Sequence, residues 1–191
     1  MAEIYRTTNF FLGSHERPEV DRNDGGHIKI SPIIDVSDRT QLSPELAIEL
    51  MRFTIVAGLA FTAAMAQQGI TLGRINYQEN GNWKPHLHIH LYGRALDAKF
   101  QKYGDPIKPG HLNEYQPLTA EDCQLIAAEI AQLFDQEEFS DERWRIWFYT
   151  NISLKLCCYK HMTESASPIP SQQALQNSVY QHSSDFFWQK I

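Results

Sequence analysis

"PHLHIHLYGR", residues 85–94, sets three of the chain's eight histidines into five positions: His86, His88 and His90. In a β-strand, side chains two apart share a face. The three imidazoles therefore line one side, and Leu87, Ile89 and Leu91 line the other. The aliphatic side reads as buried. The histidines then face a cavity, a second layer or water.

Three chemistries fit such a row. A structural role suits a single half-buried histidine better than three in strict alternation. A metal site is the second reading, since imidazoles at i and i+2 can share Zn²⁺ at about 2.0–2.1 Å. His86 and His90, however, stand roughly 13 Å apart along an extended strand, so all three do not close on one ion. His27, His111, Asp35 or a cysteine would have to complete that set. The third reading is attack on phosphorus by a neutral imidazole, giving a covalent phosphoramidate that water or another acceptor then resolves. It needs an unprotonated Nε2, a tautomer set at Nδ1, and donors around the phosphate oxygens. One rigid strand carrying alternate histidines supplies these.

The flanking sequence supplies a frame. "DGGHIKISP", residues 24–32, places Gly25 and Gly26 at a turn before a short strand over residues 27–31. Ser43, Pro44 and Glu45 punctuate a helix start, and Gly69 its end. From Phe53 this helix is apolar nearly all round and rich in small residues, which suits close packing under a sheet or on a second subunit. "ITLGRINYQ" (70–78), the turn "ENGN" and residues 86–92 read as an antiparallel hairpin. Residues 9–24 read as polar and turn-rich. A second helix is expected from Thr119, with Asp122 as capping partner, to about Phe134. "SDERWRIWFY" (140–149) fits helix or strand, and the tail from Thr163 reads as loosely attached.

In this setting "HLHIHLYGR" resembles the signature of the histidine-triad (HIT) superfamily of nucleotide hydrolases and transferases, with Tyr92 in place of a final aliphatic residue. "GGHIKISP" is similar to the family's upstream strand, "LSPELAIELMRFTIVAGLAF" to its long helix, and "GRINYQENGNW" to the strand and loop before the triad. The likeness spans about residues 25–104. It implies an α+β fold: an antiparallel sheet with a long helix packed on it. A HIT-like catalytic domain is then expected over residues 1–115. A largely helical or loop extension over 116–191 is expected to pack on the same domain.

The resemblance also implies roles. His88 would be the nucleophile that takes up a nucleoside monophosphoryl group, with its Nδ1 proton directed at a backbone carbonyl, expected to be that of His86. His90 would bond a phosphate or leaving-group oxygen, and His86 and His27 would complete the polar shell. Asn76, Asn82, Lys84 and Arg94 are the expected substrate contacts, although Arg94 could equally pair with an acid. Glu19 and Asp21 are the candidates for a ribose-binding acid. The loop over residues 77–85 is shorter than in familiar members, and Trp83 and Lys84 replace small polar residues there. The implied reaction is cleavage at the α-phosphate of a dinucleoside polyphosphate or nucleoside phosphoramidate, adenosine-containing by analogy. It requires no cofactor beyond a divalent metal that a polyphosphate could bring, and a homodimer is expected. A metal-dependent enzyme on the same strand and a non-catalytic nucleotide sensor are the alternatives.

Composition narrows the partners. A formal net charge of −6 argues against a nucleic-acid or anionic-membrane binder, which needs a basic field. "MAEIYRTTNFF" lacks the basic-then-apolar pattern of a signal peptide, and the apolar run over residues 53–65 reads as too short to span a bilayer. Three cysteines, Cys123, Cys157 and Cys158, suggest reduced thiols and a cytoplasmic setting.

Overall fold

The computed structural model describes residues 2–79, 81, 85–108 and 115–144. They belong to one compact unit, residues 1–144. Five antiparallel strands form one sheet: β1 (Ala2–Arg6), β2 (Phe10–Ser14), β3 (His27–Pro32), β4 (Leu72–Gln78) and β5 (Ile89–Ala95). Their spatial order is β1-β2-β3-β5-β4, so the histidine strand is internal and β4 is an edge. The fold class is α+β. A long helix, α1 (Pro44–Gln67), covers one face, and α2 (Ala120–Phe134) packs beside it and against β1.

Alternation builds the core. Phe10 and Leu12 on β2, Ile28 and Ile30 on β3, and Leu87, Ile89 and Leu91 at β5 point to the helix side and are buried with Phe53, Val56, Ala57, Ala60 and Phe61 of α1. The small residues of α1 are used within the chain. At Gly58 a Cβ would stand 2.2 Å from the Tyr77 hydroxyl, so a larger residue there would displace the Tyr77 side chain. The helix is capped as expected, with the Leu46 amide donating to Ser43 and Gly69 turning off at φ +76°. It spans 24 residues, longer than the apolar run alone. By length and composition it could cross a membrane, which corrects the expectation drawn from residues 53–65. Burial of Phe53, Val56, Phe61 and Met65 under the sheet gives that apolarity a different use.

α2 begins at a full capping box between Thr119 and Asp122. Asp122 is fully buried and accepts two bonds from Arg22, at 2.6 and 2.8 Å, which ties α2 to the turn before β3. Burial acts to raise its carboxyl pKa. The Arg22 and Thr119 hydrogen bonds outweigh burial and hold it below the ordinary range. Tyr5, Phe53 and Phe134 pack as a ring cluster with centroids 5.9–6.2 Å apart, joining β1, α1 and α2.

Three expectations need correction. Residues 9–24 hold strand β2, and β1 precedes it. The turn over Thr7 to Asn9, closed by Thr7 N–H to the Phe10 carbonyl, hides two short strands in polar sequence. The hairpin loop is longer than a two-residue Asn-Gly turn, because β4 ends at Gln78 opposite His90. For the same reason the strand after it begins at Ile89 rather than at 86. His86 and His88 lie just before the ladder, where Leu87 N–H bonds the Val36 carbonyl at 2.7 Å. Of the segment 140–149, residues 141–144 are helical. The rest of it, the tail, Cys157, Cys158, His111, Asn82, Trp83 and Lys84 lie outside the described residues.

Candidate active site

The sheet face away from α1 carries the polar residues. Strand register sets Lys29 and Gln78 on either side of His90, and His27 and Asn76 on either side of Tyr92. Directly opposed residues in antiparallel strands share a face. This face therefore gathers His27 and Lys29 from β3, His90, Tyr92 and Arg94 from β5, and Arg74, Asn76 and Gln78 from β4.

Glycines bring the two central strands together. Gly25 has φ +125°, and a Cβ on it would lie 2.4 Å from the Gly93 carbonyl carbon. A Cβ on Gly93 would lie 2.2 Å from the Gly25 oxygen. Next to this crossing, the Asp24 carboxylate is buried and accepts the backbone N–H groups of Lys99, Phe100 and Gln101 at 2.6–2.8 Å. It anchors the chain that leaves β5.

The imidazoles form a directed chain. His88 Nδ1 lies 2.6 Å from the His86 carbonyl oxygen. A carbonyl only accepts, so His88 Nδ1 carries the proton, and in its neutral form the ring presents its lone pair at Nε2. At His27 the order is reversed. The Glu19 backbone N–H donates to His27 Nδ1 at 3.3 Å, which places the His27 proton on Nε2. His27 Nε2 in turn sits 2.8 Å from His90 Nδ1 and donates to it. The His90 proton then resides on Nε2, as a hydrogen-bond donor beside His88. The His88 and His90 rings meet edge-on with centroids 4.8 Å apart.

Burial keeps His27 and His90 neutral. It pushes His90 down to about 3, helped by the neighbouring His88 and by the Lys29 charge. His27, 1% exposed, is held well below its ordinary value by burial first and then by His90 and His15. His15 stacks on His27 at 4.9 Å with a 7° tilt and is itself lowered by burial and by Lys29. Tyr92 is buried beside them, 4.5 Å from the His27 ring, and donates to Glu19 Oε2 at 2.6 Å. Burial, and next the Glu19 bond, push its phenol far above the usual range.

The structure thus brings His27, His88 and His90 together, with His86 supplying a backbone carbonyl to His88. The His86 ring stands 3.6 Å from the exposed Asp35 carboxylate. Among the described residues no three His, Cys, Asp or Glu side chains converge so as to hold a metal ion. Arg94 meets no acid among the described residues. Its guanidinium donates to Asn76 Oδ1 at 3.3 Å and to the Lys102 carbonyl at 2.9 Å. Asn76 and Arg94 therefore come together, toward the end of β5 opposite His88. Both ribose-acid candidates are engaged within the chain, Glu19 by Tyr92 and Asp21 by the amides of Asn23 and Gln116. Sequence reasoning missed His15, Lys29 and Gln78. The alternation of "HIKIS" contained the signal for Lys29, two positions from His27 on the same face.

Comparison with solved structures matches this fold. A histidine triad (HIT) protein from Sinorhizobium meliloti 1021 superposes with a TM-score of 0.52 at 18% identity, covering 69% of this chain and 87% of that one. A histidine triad protein from Marinobacter aquaeolei VT8 gives 0.52 at 15% identity, over 70% and 88% of the two chains. The chain has the histidine-triad fold. A hypothetical histidine triad nucleotide-binding protein from Sulfolobus tokodaii strain7 shares that fold with a TM-score of 0.50 at 16% identity, over 69% and 85%. No family model matches the sequence, and no curated protein matches it. In the histidine-triad fold of this chain, the triad sits at the start of the internal strand β5, and α2 is packed on the side of α1.

Proposed function

We propose that this chain is a HIT-type nucleotide hydrolase or nucleotidyl transferase acting at the α-phosphate of a dinucleoside polyphosphate or nucleoside phosphoramidate. The observation that carries the reading is the set of contacts from the Glu19 amide to His27, from His27 to His90 and from His88 to the His86 carbonyl, which together imply a lone pair at His88 Nε2 and an N–H at His90 Nε2. One can attack phosphorus while the other bonds an oxygen on it.

In the first step the His88 Nε2 lone pair forms a bond to the α-phosphorus. The bond from phosphorus to the leaving oxygen or nitrogen breaks, and its electron pair departs with that atom, which takes up a proton from solvent. Water or another acceptor then attacks the same phosphorus and gives up its proton to solvent, the P–N bond breaks with its electron pair returning to His88 Nε2, and His88 is regenerated. The His90 donor serves the oxyanion in both steps. His27 acts through His90 as a positioning residue, and the His86 carbonyl holds the tautomer of His88. Lys29 adds positive charge on the same face. Asn76 and Arg94, with Asn82 and Lys84, are assigned to the substrate. The scheme needs no resident metal and is assigned to a cytoplasmic homodimer. The exposed Met51, Ile55 and Leu59 along one stripe of α1 favour a second copy.

Turnover of a panel of dinucleoside polyphosphates and adenosine phosphoramidates, with and without chelator, tests the reading. Release of a nucleoside monophosphate by the wild type, lost in His88→Ala, is the expected result. Activity abolished by chelation for the phosphoramidates would favour the metal-dependent alternative. Binding without turnover of any compound would favour a sensor.

A further inference from the structure

A cavity of about 510 Å³ opens on the histidine face of the sheet, toward the end of β5 away from His88. Arg74, Asn76 and Gln78 of β4, Arg94 of β5, and Tyr103 and Asp105 from the chain beyond β5 line it. Its size lies within the range of small-molecule sites.

Arg94 is the unusual group. It is 4% exposed, and it has no ion-pair partner among the described residues. Two of its donors meet neutral oxygens, of Asn76 and of the Lys102 backbone. Its Nε has no hydrogen-bond partner at all among the described residues. A buried guanidinium without a counter-charge is unfavourable, and an unmet buried donor adds to that. Arg74 lines the same cavity, lies directly opposite Arg94 in the strand register, and has no ion-pair partner among the described residues. Two guanidiniums against the single carboxylate of Asp105 leave the lining cationic in a chain whose net charge is −6. Arginine pairs favour oxyanions because each fork can meet two oxygens.

We propose that this cavity is a second anion site, separate from the triad, that takes a phosphate chain between Arg74 and Arg94. The amides of Asn76 and Gln78 line the route from Arg94 back to His90, whose opposite neighbour on β4 is Gln78. The chain could belong to the far end of a nucleotide or be a free polyphosphate. The chemistry recognised is the same.

Titration of the full chain with inorganic tripolyphosphate tests this, read by calorimetry and by the Nε–H resonance of Arg94 in arginine-labelled protein. The expected result is saturable binding that shifts that resonance, weakened about tenfold or more by Arg74→Gln and unchanged by His88→Ala. Arg74 is exposed, so Arg74→Gln keeps the test sound even where Arg94→Lys fails to fold. No binding, binding indifferent to Arg74→Gln, or binding lost in His88→Ala would overturn the proposal. The last result would place the phosphates on the triad. Competition then separates the two sources. Displacement of tripolyphosphate by a dinucleoside polyphosphate, and by no monophosphate, assigns the site to the far end of a substrate. Displacement by neither assigns it to free polyphosphate. The readout is binding, so it stands whether or not His88 turns over a nucleotide.

Discussion

His27 Nε2 lies 2.8 Å from His90 Nδ1, and this single contact decides which nitrogen of His90 carries a proton. The direction is inherited from the Glu19 backbone amide, which can only donate to His27 Nδ1. A residue from the loop before β3 thereby sets the donor that faces the triad on β5.

Replacing His27 should therefore damage activity through His90. His27→Ala removes the donor to His90 Nδ1 and frees that ring to adopt the other tautomer. His27→Gln places an amide N–H near the position of Nε2. The glutamine variant should retain more kcat than the alanine variant, with KM changed less than kcat in both. His90→Ala should cost about 10²–10³ in kcat, as for loss of one oxyanion donor. Steady-state kinetics of the three variants measures this order. Equal losses for His27→Gln and His27→Ala would reduce His27 to packing.

Stability should fall with acid in a defined window. His27 and His90 have folded pKa values depressed below the unfolded value of about 6.5. Below that value the unfolded chain binds protons that the folded chain refuses. Unfolding free energy therefore declines as pH drops, starting near 6.5 and continuing toward about 3 for His90. Each such histidine contributes at most about 1.4 kcal/mol per pH unit. Urea denaturation at several pH values tests this, and His27→Gln should flatten the slope between about pH 6 and 5.

The glycine crossing admits no side chain. Gly93→Ala would drive a methyl to 2.2 Å from the Gly25 oxygen, and Gly25→Ala adds a φ of +125° to a similar clash. Backbone cannot yield as a flexible side chain does, so each change should destabilise by about 2–4 kcal/mol. Gly69→Ala, with nothing within 4 Å of its Cβ and only a positive φ to oppose it, should be milder by denaturant midpoint.

Asp24→Asn replaces a carboxylate that accepts three backbone N–H groups with an amide that has one acceptor oxygen. A cost of about 2–3 kcal/mol is expected. Hydrogen exchange at Lys99, Phe100 and Gln101 should rise with it, while exchange in β2 should not. Uniform acceleration across the sheet would mean the anchor is global.

The legible part of this molecule was local or periodic. The histidine alternation gave the face, the Ser43–Pro44 and Thr119–Asp122 signatures gave both helix starts, and "GGHIKISP" gave β3. Strands β1 and β2 escaped because five residues each, broken by Thr7, Thr8 and Asn9, offer too little alternation to compete with turn chemistry. The work of Asp24 and Asp122 escaped for another reason. Their partners stand 75–77 and 100 residues away in the chain, a separation that no local pattern encodes. Arg94 could be read as a phosphate ligand or an acid's partner. The fold gives it no acid among the described residues and sets it on a cavity, which leaves the phosphate reading open.

The central claim is that His88 Nε2 forms a bond to phosphorus. Brief incubation with a dinucleoside polyphosphate labelled at the α-phosphate, alkaline quenching and peptide mass spectrometry tests it directly. The account predicts an acid-labile nucleoside monophosphoryl group on His88, absent in His88→Ala and longer-lived in His90→Ala. Turnover with no adduct at any quench time, or an adduct on another residue, would contradict it.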